Sequence, residues 1–277
     1  MDKRKKRRII ILACTAALLV SFAASPVFPY ARSLAVMKAY SSHCAKDSLM
    51  DERDIELFIP SGGGWYPYVM TYEADEDFSS YTGLPGTKLA ILYNFPAFSL
   101  KKGCSRLFDE SSAYYGSFYG AYLVSRADGE PYGFSSDARE IDEKAVSLIA
   151  RFDIFTLVLD DFGLSADKRI FECTPVSEQT NISFLGYDGW TRVSSNLKVN
   201  GMNHEKNGFV QSYLQYGSPN FPVSSDFSPV EMKSIVYARY FPEWNASVCF
   251  YVMSPSEEVC ESCLRTILSQ STLKSTE

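Results

Sequence analysis

Histidine is scarce in this chain, with only His43 and His204 among 277 residues. A Ser–His–Asp triad or a zinc site with several histidines would need one of these two side chains. The sequence also contains no Gly-x-Ser-x-Gly nucleophile elbow and no His-Arg-Asp catalytic loop, which are the motifs of α/β-hydrolases and protein kinases. The sequence therefore gives no catalytic signature for these enzyme classes, and it predicts no metal centre and no cofactor.

Positive charge is scarce after the first eight residues. Six of the 27 basic residues lie at positions 3–8, whereas 32 of the 33 acidic residues follow them. The rest of the chain therefore has a net charge near −11. Such a charge repels phosphate backbones and anionic lipid head groups, so no nucleic acid is expected as a partner.

The first 31 residues combine this basic cluster with a long uncharged run. Ile9–Ala31 contains no charged residue, and a helix that rises about 1.5 Å per residue would carry it across a hydrocarbon core of about 30 Å. Basic flanks stay in the cytoplasm, so residues 1–8 are expected there and residues 32–277 outside it. We therefore predict a basic cytoplasmic tail at 1–8, a single-pass signal-anchor at 9–31 and an extracytoplasmic domain at 32–277.

A cleaved signal peptide is the alternative for the same segment. Ile9–Val20 would be its apolar core and Ser-Phe-Ala at residues 21–23 its cleavage site. Pro26 and Pro29 weaken the end of a helix and favour cleavage, whereas the total uncharged length favours the anchor. If the signal is cleaved, the domain is secreted. A lipoprotein signal ending at Cys14 is disfavoured, because the apolar run before this cysteine is short.

The pattern of elements after the membrane segment predicts an α+β fold. Apolar or alternating runs predict strands at residues 54–59, 65–72, 89–95, 118–124, 154–159 and 248–253. The pair Asp188-Gly189 between two strand-like runs predicts a hairpin with a type I′ turn. Helical signals begin near Ile141, Ser228 and Ser254, although the stretch Ile235–Phe241 after the second signal could instead be a strand. Because these elements do not alternate strictly, we predict a largely antiparallel sheet with a few packed helices.

Six cysteines follow the membrane segment, and in an oxidising compartment they predict up to three disulfides. The disulfide candidates are Cys44, Cys104, Cys173, Cys249, Cys260 and Cys263. The Cys-x-x-Cys pair at 260 and 263 is expected to be structural rather than redox-active, because both sulfurs fall on the apolar half of a helix that Ser254 is expected to cap. Cys249, on the preceding strand, is the expected bridging partner of this pair.

Carboxylates are the best catalytic candidates in the sequence. Asp160 and Asp161 follow an apolar strand, where sheet proteins often mount catalytic groups. Asp75 and Asp77 lie in an acidic loop and have the Asp-x-Asp spacing found in many membrane-bound glycosyltransferases, although no apolar strand precedes them. These four residues support an alternative prediction, a carboxylate-dependent hydrolase or transferase that acts on glycans.

Aromatic residues are abundant, at 14% of the sequence. Trp65 and Tyr66 follow a glycine loop, and Tyr115 and Tyr119 lie in a tyrosine-rich stretch. Such side chains stack on sugars and dominate protein interfaces, although they also pack sheet cores. The leading functional prediction is therefore a membrane-anchored extracytoplasmic module that binds a surface protein or a glycan.

Overall fold

The computed structural model describes residues 3–25, 28, 55–60, 67–71, 86–94, 98–99, 104–105, 111–126, 128–151, 154, 164–201 and 227–275. The helices of this part are α1 (Lys3–Ala23), α2 (Glu143–Ser147) and α3 (Glu257–Thr266), with 3-10 turns at Ala166–Lys168, Pro242–Trp244 and Leu268–Gln270. The strands are β1 (Ile55–Phe58), β2 (Pro67–Thr71), β3 (Thr87–Asn94), β4 (Phe98–Ser99), β5 (Cys104–Ser105), β6 (Phe118–Val124), β7 (Phe171–Phe184), β8 (Tyr187–Asn200), β9 (Pro229–Phe241), β10 (Ala246–Ser254) and β11 (Thr272–Ser275).

A seven-stranded antiparallel sheet dominates the fold, in the order β2-β3-β6-β10-β9-β8-β7. It joins two meanders, β2-β3-β6 and β7-β8-β9-β10, which meet where β6 pairs with β10. Two small ladders, β4 with β5 and β1 with β11, lie outside it. The prediction of a largely antiparallel sheet with a few helices is confirmed. Pro67 begins β2 at the sheet edge, where a residue without a backbone N–H is tolerated.

The two central strands are buried along their whole length. Every residue of β6 and of β10 is buried, as their continuous apolar sequences predict for strands that are covered on both faces. Alternation along β10 divides its side chains between two cores. Cys249, Tyr251 and Met253 pack on the face that also carries α2, here called face A. Phe250 and Val252 pack on the opposite face, face B.

Face B is covered by α3 and by the ladder of β1 with β11. Ser256 caps α3, and its Oγ accepts a hydrogen bond from the Val259 N–H at 3.4 Å. The helix therefore begins two residues later than the predicted cap at Ser254. The predicted apolar half of this helix is nevertheless confirmed, since its members are all buried: Val259, Cys260, Cys263, Leu264, Ile267 and Leu268.

The β7–β8 hairpin is confirmed, but its turn lies at a different place. Leu185 and Gly186 form the turn, with φ values of 53° and 82°, and two positive φ values are what a type I′ turn requires. The predicted turn pair Asp188-Gly189 instead lies within β8. These two residues face a single residue of β7, the one between Ile182 and Phe184, so β8 has one extra residue here. Gly189, with φ 81°, thus serves a β-bulge, which has the same need for a positive φ.

The helix predicted from Ser228 is wrong, because Pro229 begins strand β9, and the alternative of a strand over Ile235–Phe241 is confirmed. A Ser-Pro-x-Glu start signal stabilises only the first turn of a helix. The alternation of the following residues allows β9 to pair with both β8 and β10. The hydrogen bonds of these two ladders stabilise a strand more than one capping interaction stabilises a helix. The helix near Ile141 exists but is short, with Asp142 capping it through a 2.9 Å hydrogen bond from the Ala145 N–H.

Helix α1 includes the basic cluster and ends at Ala23 rather than Ala31. All residues from Arg4 to Ala24 are exposed, so no other described element covers its apolar side chains. Within the described ranges, no helix combines the length and the apolar character needed to span a membrane.

Candidate functional site

Most of the predicted site residues lie outside the described residues. This applies to the four carboxylates, Asp75, Asp77, Asp160 and Asp161, and to Trp65 and Tyr66. Tyr115 and Tyr119 are described and are only 4% and 0% exposed. Tyr115 packs in the core on face A and Tyr119 in the core on face B. These two tyrosines therefore do not form an exposed ligand patch, because their segment leads into the strand at the centre of the sheet.

The described cysteines are free thiols. Cys173, Cys249, Cys260 and Cys263 form no disulfide in the structure, whereas Cys44 and the side chain of Cys104 lie outside the described part. The predicted bridge from Cys249 to the Cys-x-x-Cys pair is wrong. Cys249 points to face A while α3 lies on face B, because neighbouring side chains of a strand point to opposite faces.

The Cys-x-x-Cys thiols are buried rather than activated. Burial raises the pKa of Cys260 to about 12, and Glu261 and Glu257 add to the effect. Burial also raises the pKa of Cys263. A redox-active pair needs a lowered thiol pKa and access to solvent, so these side chains act as small apolar residues in the contact between α3 and face B.

A cluster of aromatic and arginine side chains instead gathers on face B, around the end of β9 and the β7–β8 hairpin. Cross-strand pairing builds it, since Tyr237 of β9 lies opposite Arg192 of β8 and opposite Phe250 of β10. We call its members the Arg–aromatic surface: Phe184, Tyr187, Trp190, Arg192, Tyr237, Arg239, Phe241 and Trp244.

The rings of this surface form one connected network. Ring centroids of Phe184 and Tyr237 are 4.5 Å apart, and those of Phe241 and Trp244 are 4.3 Å apart in a stacked arrangement. Tyr187 meets both Phe241 and Trp244 edge to face, at 5.2 and 6.2 Å. Offset and edge-to-face ring pairs of this kind stabilise by about 1 kcal/mol each beyond the area they bury. The rings of this surface therefore support one another in one continuous network.

Burial divides the network into a base and a rim. Trp190, Phe241 and Phe250 are completely buried. Phe184, Tyr187 and Tyr237 are only partly buried, so the upper rings keep part of their surface open to solvent. Burial also raises the pKa of Tyr237, so this side chain is a neutral phenol at physiological pH. The surface can therefore offer ring faces and a hydroxyl without carrying negative charge of its own.

The two arginines of this surface differ in their partners. Arg192 donates through Nη2 to Oε1 of Glu261 on α3, which neutralises its charge. The guanidinium carbon of Arg239 lies 4.0 Å from the ring centroid of Phe241 and 5.2 Å from that of Tyr187. A cation stacked in this way is attracted by the ring faces, but rings do not accept its N–H groups as a carboxylate does.

Three donor atoms of this surface are buried without a hydrogen-bond partner in the structure: Arg239 Nη1, Arg192 Nε and Trp190 Nε1. Buried donors are almost always satisfied in folded proteins, so unpaired donors gathered on one face require an explanation such as a bound water or ion. The described residues contain no group of three or more His, Cys, Asp or Glu side chains arranged to hold a metal.

The sequence carried a signal for this surface that the motif search missed. In β9, Tyr237, Arg239 and Phe241 occupy every second position, and in β8 Trp190 and Arg192 repeat this spacing. An arginine inside an otherwise aromatic strand face is unusual, because an unpaired charge is rarely buried.

The chain matches no protein-family model and no curated protein.

Proposed function

We propose that this protein is a membrane-anchored, extracytoplasmic module that binds a cell-surface partner through its Arg–aromatic surface. The observation that carries the proposal is the partly open cluster of phenylalanine, tyrosine and arginine side chains around Arg239, which packs on buried tryptophans. Tyrosine, tryptophan and arginine are the residue types that dominate binding energy at protein interfaces, and aromatic rings also stack on sugars.

The exposure of α1 supports the anchor. Its large apolar side chains, from Ile9 at 50% to Leu18 at 71% exposed, lie open along the helix. Apolar surface of this extent requires a cover, which a membrane would provide for the apolar run that starts at Ile9, although α1 as described is not long and apolar enough to cross one. The basic residues at its start favour the cytoplasmic side, so the sheet domain would lie outside.

Binding is favoured over catalysis because the described residues of this surface offer no activated group. The thiols nearest to it, those of α3, have raised pKa values. Its one carboxylate, that of Glu261, is held by Arg192. The alternative, a glycan-directed enzyme that uses Asp75, Asp77, Asp160 or Asp161, stays a prediction from the sequence.

Site-specific photo-crosslinking in intact cells tests the proposal. A photoreactive amino acid at Tyr187 reports on the Arg–aromatic surface. The matched control is the same amino acid at Arg139, whose side chain is 84% exposed and lies outside that surface. We expect an adduct from position 187, removed by protease added outside the cell, and none from position 139.

Two results would contradict this proposal. Equal adducts from both positions would show that the surface is not a specific site. A reporter fused after Glu277 that is active only in the cytosol would place the domain on the wrong side of the membrane for a surface partner.

A further inference from the structure

The charge of Arg239 has no counterpart in the described part of the chain. The ion pairs of these residues join Arg126 with Asp128, Arg139 with Asp137, Arg192 with Glu261, and Lys198 with Glu172. Arg239 takes part in none of them, although it is partly buried and one of its terminal nitrogens is enclosed without a partner. A partly desolvated charge without a counter-ion is costly, and an anion bound to the open part of the guanidinium would offset that charge without contacting the enclosed Nη1.

We propose that Arg239 binds a carboxylate carried on a sugar ring, so that the ligand of the Arg–aromatic surface is an acidic carbohydrate. This inference rests on the proposed function and names its ligand class. Because Nη1 is enclosed, the edge of the guanidinium formed by Nε and Nη2 is the one that can meet a carboxylate in two parallel hydrogen bonds. Stacking on Phe241 at 4.0 Å fixes the plane of the guanidinium.

The neighbouring rings supply a place for the sugar itself. Tyr187 is partly exposed and lies beside Arg239, at 5.2 Å from the guanidinium carbon to the ring centroid. Trp244, whose ring centroid is 6.2 Å from that of Tyr187, is only 8% exposed and supports Tyr187 rather than facing a ligand. The apolar C–H face of a pyranose packs on such rings. A carboxylate on the same sugar could then reach the part of the Arg239 side chain that is open to solvent.

Apolar exposure favours a carbohydrate over a protein partner. Outside α1, one large apolar side chain is exposed among the described residues, that of Val176 at 62%. It lies in β7 at the edge of the sheet. A stable protein interface usually buries an apolar centre of several such residues. A small site with one cation and several ring faces instead suits one or two sugar units.

The charge of the protein limits how acidic the ligand can be. The chain after residue 8 carries 32 acidic and 21 basic residues, and a body of this charge repels a dense polyanion. A single carboxylate within hydrogen-bond distance of Arg239 is attracted mainly by that guanidinium. The acidic residues farther away contribute little, because charges beyond a Debye length of about 8 Å are screened at physiological salt. The expected ligand is therefore a sparsely charged glycan with a carboxylate on an otherwise neutral chain.

A pair of matched probes tests the inference on the full-length protein in detergent. Methyl β-glucuronide and methyl β-glucoside share one ring and differ in the carboxylate. We expect titration calorimetry and saturation-transfer NMR to show at least about tenfold tighter binding of the glucuronide, a factor within the range for a charge-assisted hydrogen bond. Arg239→Gln should remove this preference, Arg239→Lys should keep part of it, and Arg139→Gln should leave it unchanged.

Several outcomes would overturn the inference. Equal binding of both sugars, or an unchanged preference in a folded Arg239→Gln variant, excludes a carboxylate site at Arg239. Equally tight, Arg239-dependent binding of an N-acetyl glutamate amide would assign the site to an acidic peptide instead. If neither sugar binds while the crosslink from Tyr187 persists, the carbohydrate is wrong and the proposed function stands. If the crosslink is also absent, both fail.

Discussion

Raising the pH should destabilise this protein through its buried thiols. Cys249, Cys260 and Cys263 are at most 1% exposed, and burial raises the pKa of each, to about 12 for Cys249 and Cys260. In the unfolded chain a thiol has a pKa of about 8.5. Above that value the unfolded state loses protons while the folded state keeps them. The thiols' contribution to stability is therefore complete below about pH 8.5 and is lost as the pH rises towards 12.

The size of the effect follows from linkage. Each thiol lowers the free energy of unfolding by about 1.4 kcal/mol per pH unit between its two pKa values. Between pH 8.5 and pH 10, three such thiols together lower it by about 5 kcal/mol. Since domains are usually stable by about 5–15 kcal/mol, a loss of this size is easily measured.

Urea unfolding of the reduced full-length protein in detergent, followed by tryptophan fluorescence at pH 8.5 and pH 10, measures this loss. Cys263→Ala should reduce the pH-dependent part by about one third, because one of the three thiols is removed. Cys14→Ser is the control, since Cys14 is exposed on α1, and it should leave the loss unchanged. A loss below about 1 kcal/mol, or rapid alkylation of Cys260 and Cys263 in the folded protein at pH 8, would refute the reasoning and restore redox chemistry.

Three further substitutions test the packing around the sheet by urea unfolding. Ser195→Ala should lower the free energy of unfolding by about 1 kcal/mol, because it removes the 2.8 Å hydrogen bond between the buried hydroxyls of Ser147 and Ser195. Adding Ser147→Ala should lower it little further. Additive losses would mean that the two hydroxyls do not interact. Gly186→Ala should cost about 1 kcal/mol, because φ is 82° while the added Cβ meets nothing within 4 Å; no loss would argue against the turn. Glu261→Ala should cost about 1 kcal/mol by leaving Arg192 unpaired, and high salt should reduce that difference.

The fold was predictable where one local rule acted without competition. Continuous apolar runs indicated β6 and β10 correctly, because a strand that is covered on both faces has no polar positions to mark it. The spacing of Cys260 and Cys263 on one helical half correctly placed both in the core. Predictions failed where a longer-range pairing competed with a local signal. At Ser228 the predicted helix start is replaced by strand β9, which pairs with two neighbouring strands. At Asp188-Gly189 the predicted turn is replaced by a β-bulge.

The candidate site was much less predictable than the fold. Tyr115 and Tyr119 belong to a conspicuous tyrosine-rich stretch, but the sheet places them in the core. Arg239 and Tyr187 are 52 positions apart, and no motif links them. Pairing of β8 with β9 and the bulge at Gly189 bring their side chains together. A search for motifs finds residues that are close in sequence, whereas this surface is assembled from four different segments.

The sequence by itself determined the segment types: an uncharged run behind a basic cluster, buried central strands and an amphipathic α3. These features depend on the period and charge of neighbouring residues, which a single segment carries in full. Only the tertiary structure decided that Cys249 lies across the sheet from Cys260, and that Arg239 stacks on Phe241 without a carboxylate partner among the described residues. Side-chain partners depend on strand order and register, and a shift of one residue would move each of them to the other face.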